Sequence, residues 1–229
     1  MPDVQLAYQE FVFNQDLAPY EAGLLRKAVM SVTGKNNLLY HNHLGQGFRH
    51  AYPLIQYKSL MGKAAILYLG KAVNHIDRLF NNSITEVQIE GKSLSFEIEK
   101  IHARIYTLTT HENLRKYDII NWIPLQDQNF KDFQSLESEN ERLSFLSNLL
   151  TANILSFAKG VGWHIDEQVI IKDLQIYQQK WISFKNQKFL SFNVRFKTNV
   201  FLPDHIGLGK GAAHNYGVIF PVKKNLKTE

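Results

Sequence analysis

Hydrophobic and polar positions along this 229-residue chain switch between a period of two and a helical period, and the switches mark out its elements. Residues 4–13 (VQLAYQEFVF) alternate loosely and are rich in strand formers, predicting a first strand. Pro19 then opens PYEAGLLRKAVMSVTG, in which Leu24, Leu25, Ala28, Val29 and Val32 fall at helical spacing and Gly34 supplies the stop. YPLIQYKSL and KAAILYLG follow as two short strands separated by MGK, and KAVNHIDRLFNN reads as a second helix. ITEVQIEGKSLSFEIEKI predicts a hairpin turning at Glu90-Gly91. The order strand, helix, strand, strand, helix, strand is the ferredoxin-like βαββαβ arrangement.

The second half rhymes with the first. HARIYTLTT reads as a strand, and NERLSFLSNLLTANILSFAKGVGW as a long amphipathic helix closing at Gly160. EQVIIKDLQIYQQKWISF and KFLSFNVRFKTNVFL form a strand pair turning near Lys185-Asn186, and YGVIFPV is the last strand. Where a second helix belongs, PDHIGLGKGAAHN stands instead. The expected fold is therefore α+β: two tandem ferredoxin-like domains, residues 1–102 and 103–229, the second with a glycine-rich loop replacing its last helix.

Composition narrows the class. Apolar residues at 45% and aromatics at 12% describe an ordinary globular protein. Without cysteine there is no disulfide or thiolate metal site, which fits a reducing compartment. No signal peptide is visible at MPDVQLAYQEFVF and no run of eighteen apolar residues occurs, so a soluble, cytoplasmic protein is expected, without a membrane partner. The net charge of +5 is unevenly spread. Residues 22–76 carry seven Lys/Arg and no acid, residues 77–167 a net of −5, and residues 168–229 a net of +7. Two basic segments in an otherwise acidic chain point to a polyanion partner.

The first basic segment contains YHNHLGQGFRHAYPLIQYK, with three histidines in ten residues and no carboxylate or cysteine. In an extended segment residues two apart point the same way, so His41 and His43 can present both imidazoles to one ligand. The flanks supply none of the further ligands of a metal-dependent His-Asn-His nuclease, and a site built on two histidines would need His50 as a third, so the expectation is no metal and no cofactor. Histidine exchanges protons near neutral pH, which suits internal cleavage of RNA. A base deprotonates a ribose 2′-hydroxyl, the resulting oxygen attacks the adjacent phosphorus, and an acid protonates the leaving 5′-oxygen. Arg49, Lys58 and Lys63 lie close in sequence to stabilise the phosphate charge.

The second basic segment holds IGLGKGAAHNYG, four glycines and a lysine in twelve residues. Neither a P-loop nor a dinucleotide fingerprint matches it. It serves either as a flexible connection or as a cradle of backbone N–H groups for phosphate, and its place in a +7 segment favours the cradle.

Taken together, LLYHNH, FRHAYPLIQYK, GKAAILYLG, the late helix and the closing GLGKGAAHNYGVIFPV resemble the CRISPR-associated repeat-RNA endoribonucleases, in the repeat-associated mysterious protein superfamily and closest to its b-type branch. The resemblance runs from about Tyr8 to Val222. It implies two ferredoxin-like domains and metal-independent cleavage within the repeats of CRISPR precursor RNA, leaving 2′,3′-cyclic phosphate and 5′-hydroxyl ends. A non-catalytic repeat-RNA-binding subunit on the same scaffold is the alternative. The catalytic histidine then comes from His43, His41 or His50, in that order, with Tyr40 or Tyr52 and Lys58 or Lys63 available to assist. Arg49, Lys63, Gly207, Gly209, Lys210, Gly211 and His214 are the expected RNA contacts. Other CRISPR effector subunits and a second copy of the chain are the further partners the resemblance raises.

Overall fold

The computed structural model describes residues 4–34, 40, 51–81 and 84–222, together with the backbone of 43–44 and 47–48. It divides into two units: Met1–Thr107 with Ala158–Trp163 and Ala213–Asn215, and Leu108–Phe157 with His164–Ala212 and Tyr216–Glu229.

The first unit is built on strands β1 (Val4–Asp16), β4 (Ile55–Leu60), β5 (Lys63–Leu69) and β8 (Ile98–Leu108), hydrogen-bonded in the order β4-β5-β1-β8. Helix α1 (Ala22–Thr33) follows β1 through a turn of 3-10 helix at Pro19–Glu21, where the Glu21 carboxylate accepts the Ala18 N–H at 2.9 Å. Of the apolar positions the spacing predicts, Leu25, Ala28 and Val29 are fully buried, as is Ala22, while Leu24 and Val32 are half-buried. Between α1 and β4 lies a miniature ladder of β2 (His43–Leu44) and β3 (Gly47–Phe48), in which His43 pairs with Phe48. This is the ferredoxin-like order, with β1 and β8 as its first and last strands.

Two details depart from the sequence reading. The expected helix over KAVNHIDRLFNN is a 3-10 segment, Gly70–His75, and a single turn, α2 (Asp77–Phe80). Val73, Asn74 and His75 are weak helix formers, and only Ala72 and Leu79 are buried to anchor it. The hairpin turning at Glu90-Gly91 exists, but its strands β6 (Glu86–Ile89) and β7 (Lys92–Ser95) form a two-stranded sheet of their own. The strand that completes the main sheet is β8, which takes in most of HARIYTLTT, so one continuous strand runs through the expected junction at 102–103.

The second unit starts instead from β9 (Thr110–Trp122), which the sequence reading left out. Its sheet runs β10 (Ile171–Phe184), β11 (Gln187–Val200), β9, β12 (Val218–Pro221), again the ferredoxin-like order. Helices α3 (Asp127–Ser135) and α4 (Glu139–Gly160) follow β9. A reciprocal cap starts α4: the Ser138 hydroxyl accepts the Glu141 N–H at 3.2 Å, and the Glu141 carboxylate accepts the Ser138 N–H at 3.0 Å. The helix side of the sheet buries Tyr117, Ile119, Trp122, Phe192, Val194 and Phe196. Three tight hairpins, at Met61-Gly62, Glu90-Gly91 and Lys185-Asn186, have positive φ at both central residues, which matches the twist of the strands they join.

No helix occupies residues 201–217, the glycine-rich stretch, and its glycines serve close packing. A Cβ at Gly207 would lie 2.5 Å from the Ala212 carbonyl oxygen, and one at Gly209 would lie 2.8 Å from Asn153 Oδ1 and 2.9 Å from Trp122 Nε1. Gly217, at φ +60°, has its Cβ direction blocked by the Leu208 carbonyl oxygen, while its N–H donates to the Asn121 carbonyl at 3.1 Å. Gly62 also has positive φ but faces open space. Gly217→Ala is therefore expected to cost about 2–3 kcal/mol and Gly62→Ala about 1 kcal/mol. Urea denaturation of the two variants checks this, and equal losses would remove the packing argument.

Candidate functional site

The register of the first sheet sorts the candidate residues. Lys58 pairs with Ala65, which pairs with Val12; Gln56 pairs with Leu67, which pairs with Glu10. Gln56, Lys58, Glu10 and Tyr8 therefore share one face. Ile55 and Tyr57 pair with Tyr68 and Ile66, and these with Gln9 and Phe11, on the other. Phe11 and Phe13 lie against Phe80 of α2 at 4.8 and 6.4 Å between ring centroids, so the second face is the helix side.

On the face away from the helices the polar side chains are themselves buried: Gln56 and Lys58 at 0% exposure and Glu10 at 3%. Removal from water pulls the Lys58 ammonium down to about 7, and the negative charge of Glu10 opposes that shift. The Tyr8 hydroxyl donates to Glu10 at 2.8 Å, and His102 Nε2 of β8 stands 4.0 Å from the same carboxylate. The Gln56 amide donates to the Tyr52 hydroxyl at 2.8 Å and to the Pro53 carbonyl at 3.1 Å. Burial raises the Tyr52 phenol well above its ordinary range, so it stays neutral. The ring rests on the backbone of Gly160, where any Cβ would clash with it. Lysine, carboxylate and amide from β1 and β4 thus form a buried polar stripe on one face, to which Tyr52 is joined through Gln56.

Tyr40 lies apart from this stripe. Its hydroxyl donates to the His75 carbonyl at 2.8 Å and sits 3.2 Å from the hydroxyl of Tyr68, on the helix side of the sheet. Burial raises the Tyr40 phenol as well. Tyr40 and Lys58 therefore occupy opposite faces and are not brought to one centre, whereas Tyr52 is hydrogen-bonded to Gln56, which shares the Lys58 face. His43 is described by its backbone pairing with Phe48 alone, and its side chain, with His41, Arg49 and His50, lies outside what is described. Among the described residues no three His, Cys, Asp or Glu side chains gather as a cation site.

Linear charge also misleads in two places. Lys58 belongs to the acid-free run yet is fully buried, and Lys63 of the same run is 3.0 Å from Asp16 and 3.9 Å from Glu99, contributed by the flanking acidic segments. In the second unit the Lys210 ammonium donates to the Gln126 side chain at 2.8 Å and lies 4.8 Å from the Phe189 ring centroid. Gly211, at φ +76°, packs on the Tyr216 ring. In the first unit the Ala213 carbonyl accepts the Tyr57 N–H at 2.9 Å and His214 forms a parallel bridge with Tyr57, so residues 213–215 line the outer edge of β4. The glycine segment is thus a packed element.

The Cas6b N-terminal domain family matches residues 3–107 and the Cas6b C-terminal domain family matches residues 109–222. The chain belongs to the Cas6b family. A crystal structure of Cas6b superposes with a TM-score of 0.87 at 24% identity, covering 96% of this chain and all of the other. A CRISPR RNA processing endoribonuclease Cas6b gives 0.72 at 21% identity over 96% of this chain and all of that one, and a type IV Cas6 crRNA endonuclease, Csf5, gives 0.58 at 10% over the same shares. These likenesses carry the fold, two tandem ferredoxin-like domains. An uncharacterised protein of Methanocaldococcus jannaschii is 27% identical over 114 residues, 49% of this chain and 76% of that protein.

Glu10, Gln56, Tyr8 and His102 were absent from the sequence reading. Their one visible trace is Glu10, an acid set in the apolar alternation of VQLAYQEFVF. A test of the stripe follows from Lys58. Between pH about 7 and 10.5 the unfolded chain holds a proton that folded Lys58 has released, so stability rises with pH in that window, by up to about 1.4 kcal/mol per pH unit. Lys58→Met is expected to abolish this rise in the urea midpoint. The same pH profile in variant and wild type would show that Lys58 keeps an ordinary affinity for its proton.

Proposed function

We propose that this Cas6b-family protein is a metal-independent endoribonuclease that cuts CRISPR precursor RNA within its repeats and so matures guide RNA. The observation that carries the reading is the match of both Cas6b domains along nearly the whole chain, with a histidine-bearing segment between α1 and β4. Solved Cas6b relatives include a CRISPR RNA processing endoribonuclease, which supports the same chemistry here.

In this mechanism one imidazole of His43, His41 or His50 removes the proton of a ribose 2′-hydroxyl. The 2′-oxygen bonds to the adjacent phosphorus, the bond from phosphorus to the 5′-oxygen breaks, and a second acid protonates that oxygen. The products end in a 2′,3′-cyclic phosphate and begin with a 5′-hydroxyl. Lys58 lies in β4 on the face of Gln56, which donates to the Tyr52 hydroxyl, and Lys58, lowered to about 7, is able to gain or lose a proton at neutral pH. Arg49, Lys63, Lys210, His214 and the backbone of Gly207, Gly209 and Gly211 are assigned to the RNA. Of these, Lys210 reaches RNA only by leaving Gln126, and Lys63 only by leaving Asp16. The reading places the protein in the cytoplasm, alone, paired with a second copy or with effector subunits.

Incubation of the purified protein with the repeat RNA of its own genome, in excess EDTA, tests this. Cleavage is expected to persist under chelation and to stop when the nucleotide just upstream of the cut carries a 2′-deoxyribose. His43→Ala is expected to slow it by about 10²–10⁴, the span of general acid–base contributions. Loss of cutting in EDTA would reject the metal-independent mechanism. Tight binding with intact RNA in wild type and all three histidine variants would make the protein a repeat-RNA-binding subunit.

A further inference from the structure

The side of the second sheet that faces away from α3 and α4 carries a charge pattern that folding alone does not explain. Lys116 of β9 pairs with Lys197 of β11, which pairs with Lys172 of β10, so three lysines stand in one row across three adjacent strands. Like charges set directly opposite one another destabilise a sheet. Among the described residues, Asp173 pairs with this row, its Oδ2 2.7 Å from the Lys197 ammonium, and Glu112 lines the same groove. Asp173 sits at φ +52° where the β10–β11 register shifts, an uncommon backbone for a residue other than glycine. Lys197 holds its carboxyl below the usual range, and Lys172 and Lys116 add to the effect, so all three ammonium groups act on one small region.

The row borders a groove of about 1270 Å³ lined also by Thr110, His111 and Arg115, and the Arg115 guanidinium is held over the Phe201 ring at 5.1 Å. One register step along the same face, Arg195 clamps Asp118 through two hydrogen bonds of 2.7 and 2.8 Å. Tyr177 lies beside that pair, feels both charges and is 53% exposed.

We propose that this open sheet face is a second RNA-binding surface, in which phosphates of a single strand run across Lys116, Lys197 and Lys172 and a base stacks on Tyr177. The inference rests on the RNA-processing reading only for the nature of the ligand. A cationic track beside an exposed aromatic is the arrangement that holds single-stranded nucleic acid, and four-stranded ferredoxin-like sheets present the same kind of platform elsewhere. An acidic peptide would use the lysines but leave Tyr177 without a role. Asp173 is the built-in competitor: it offsets one of the three charges in the free protein and yields its lysine partner when phosphate arrives.

The probe is a short fluorescent oligouridylate, titrated by anisotropy onto the full chain in EDTA across a series of salt concentrations. For the triple variant Lys116→Gln, Lys172→Gln, Lys197→Gln, the slope of log K against log salt is expected to fall by about 2, three contacts at about 0.7 each. Tyr177→Ala is expected to weaken binding about tenfold with the slope unchanged. Asp173→Asn is expected to tighten binding severalfold, a gain that no loss of folding produces. Should the triple variant melt early, the pair Lys116→Gln, Lys172→Gln keeps the Lys197–Asp173 contact and is expected to lower the slope by about 1.4. An unchanged slope in a folded variant, or an Asp173→Asn protein that binds no tighter, would overturn the proposal. Repeat-RNA cleavage by the same proteins separates the two readings. Cutting by wild type together with lysine-independent binding would sink this surface alone. Lysine-dependent binding without cutting would sink the nuclease and leave the surface standing.

Discussion

The antiparallel pairing of β1 with β5 is the constraint on which the rest of the first unit depends. It joins the two halves of the sheet, and its register decides which side chains meet the helices and which form the polar stripe. A slip of one residue would turn Glu10 and Tyr8 onto the helix side and bring Gln9 and Phe11 onto the other. The pairing is held by the rings of Phe11 and Phe13 against Phe80, and by Phe11 edge-on to Tyr68 at 5.8 Å. Packing on one face thereby fixes the electrostatics of the other. Lys58 is kept dry, with a carboxylate supplied from two strands away.

Such a stripe is costly to a fold, since buried polar groups are tolerated only when partnered. Here Tyr8 satisfies Glu10 and Tyr52 with Pro53 satisfies Gln56. Residues 158–163 also belong to the first unit, and the absent side chain of Gly160 leaves the Tyr52 ring its place. A glycine at the end of a long helix therefore has a second use beyond stopping the helix: it sets the position of a tyrosine beside the histidine-bearing segment.

The fold class was legible because alternation and helical spacing survive where one face is buried, as in β11 and α1, and because short strand-forming runs mark β4 and β5, which are buried on both faces. The reading missed β9, where HENLRKYD puts charge at half its positions and hides the inward Tyr117 and Ile119. Without β9, the strand β8 was taken as the opening of the second half. The site was legible only as a segment. Three histidines close together in sequence are visible, but the Glu10–Lys58–His102 grouping is assembled from β1, β4 and β8 and leaves no spacing to read. Counting cations along the chain also ran ahead of the structure: Lys58 is interior, and Lys63 is paired. The lysine row of the second unit is spread over three strands and is no run at all.

The bond from the Tyr57 N–H to the Ala213 carbonyl has a consequence for how the chain is made. β4 is an edge strand, and its outer donors stay bare until a segment synthesised much later arrives to cover them. During translation the first unit therefore emerges with a sticky flank, a template for pairing with other nascent chains. Tight hairpin turns that zip β4 onto β5 early limit the damage, and the late glycine segment works as a self-supplied seal.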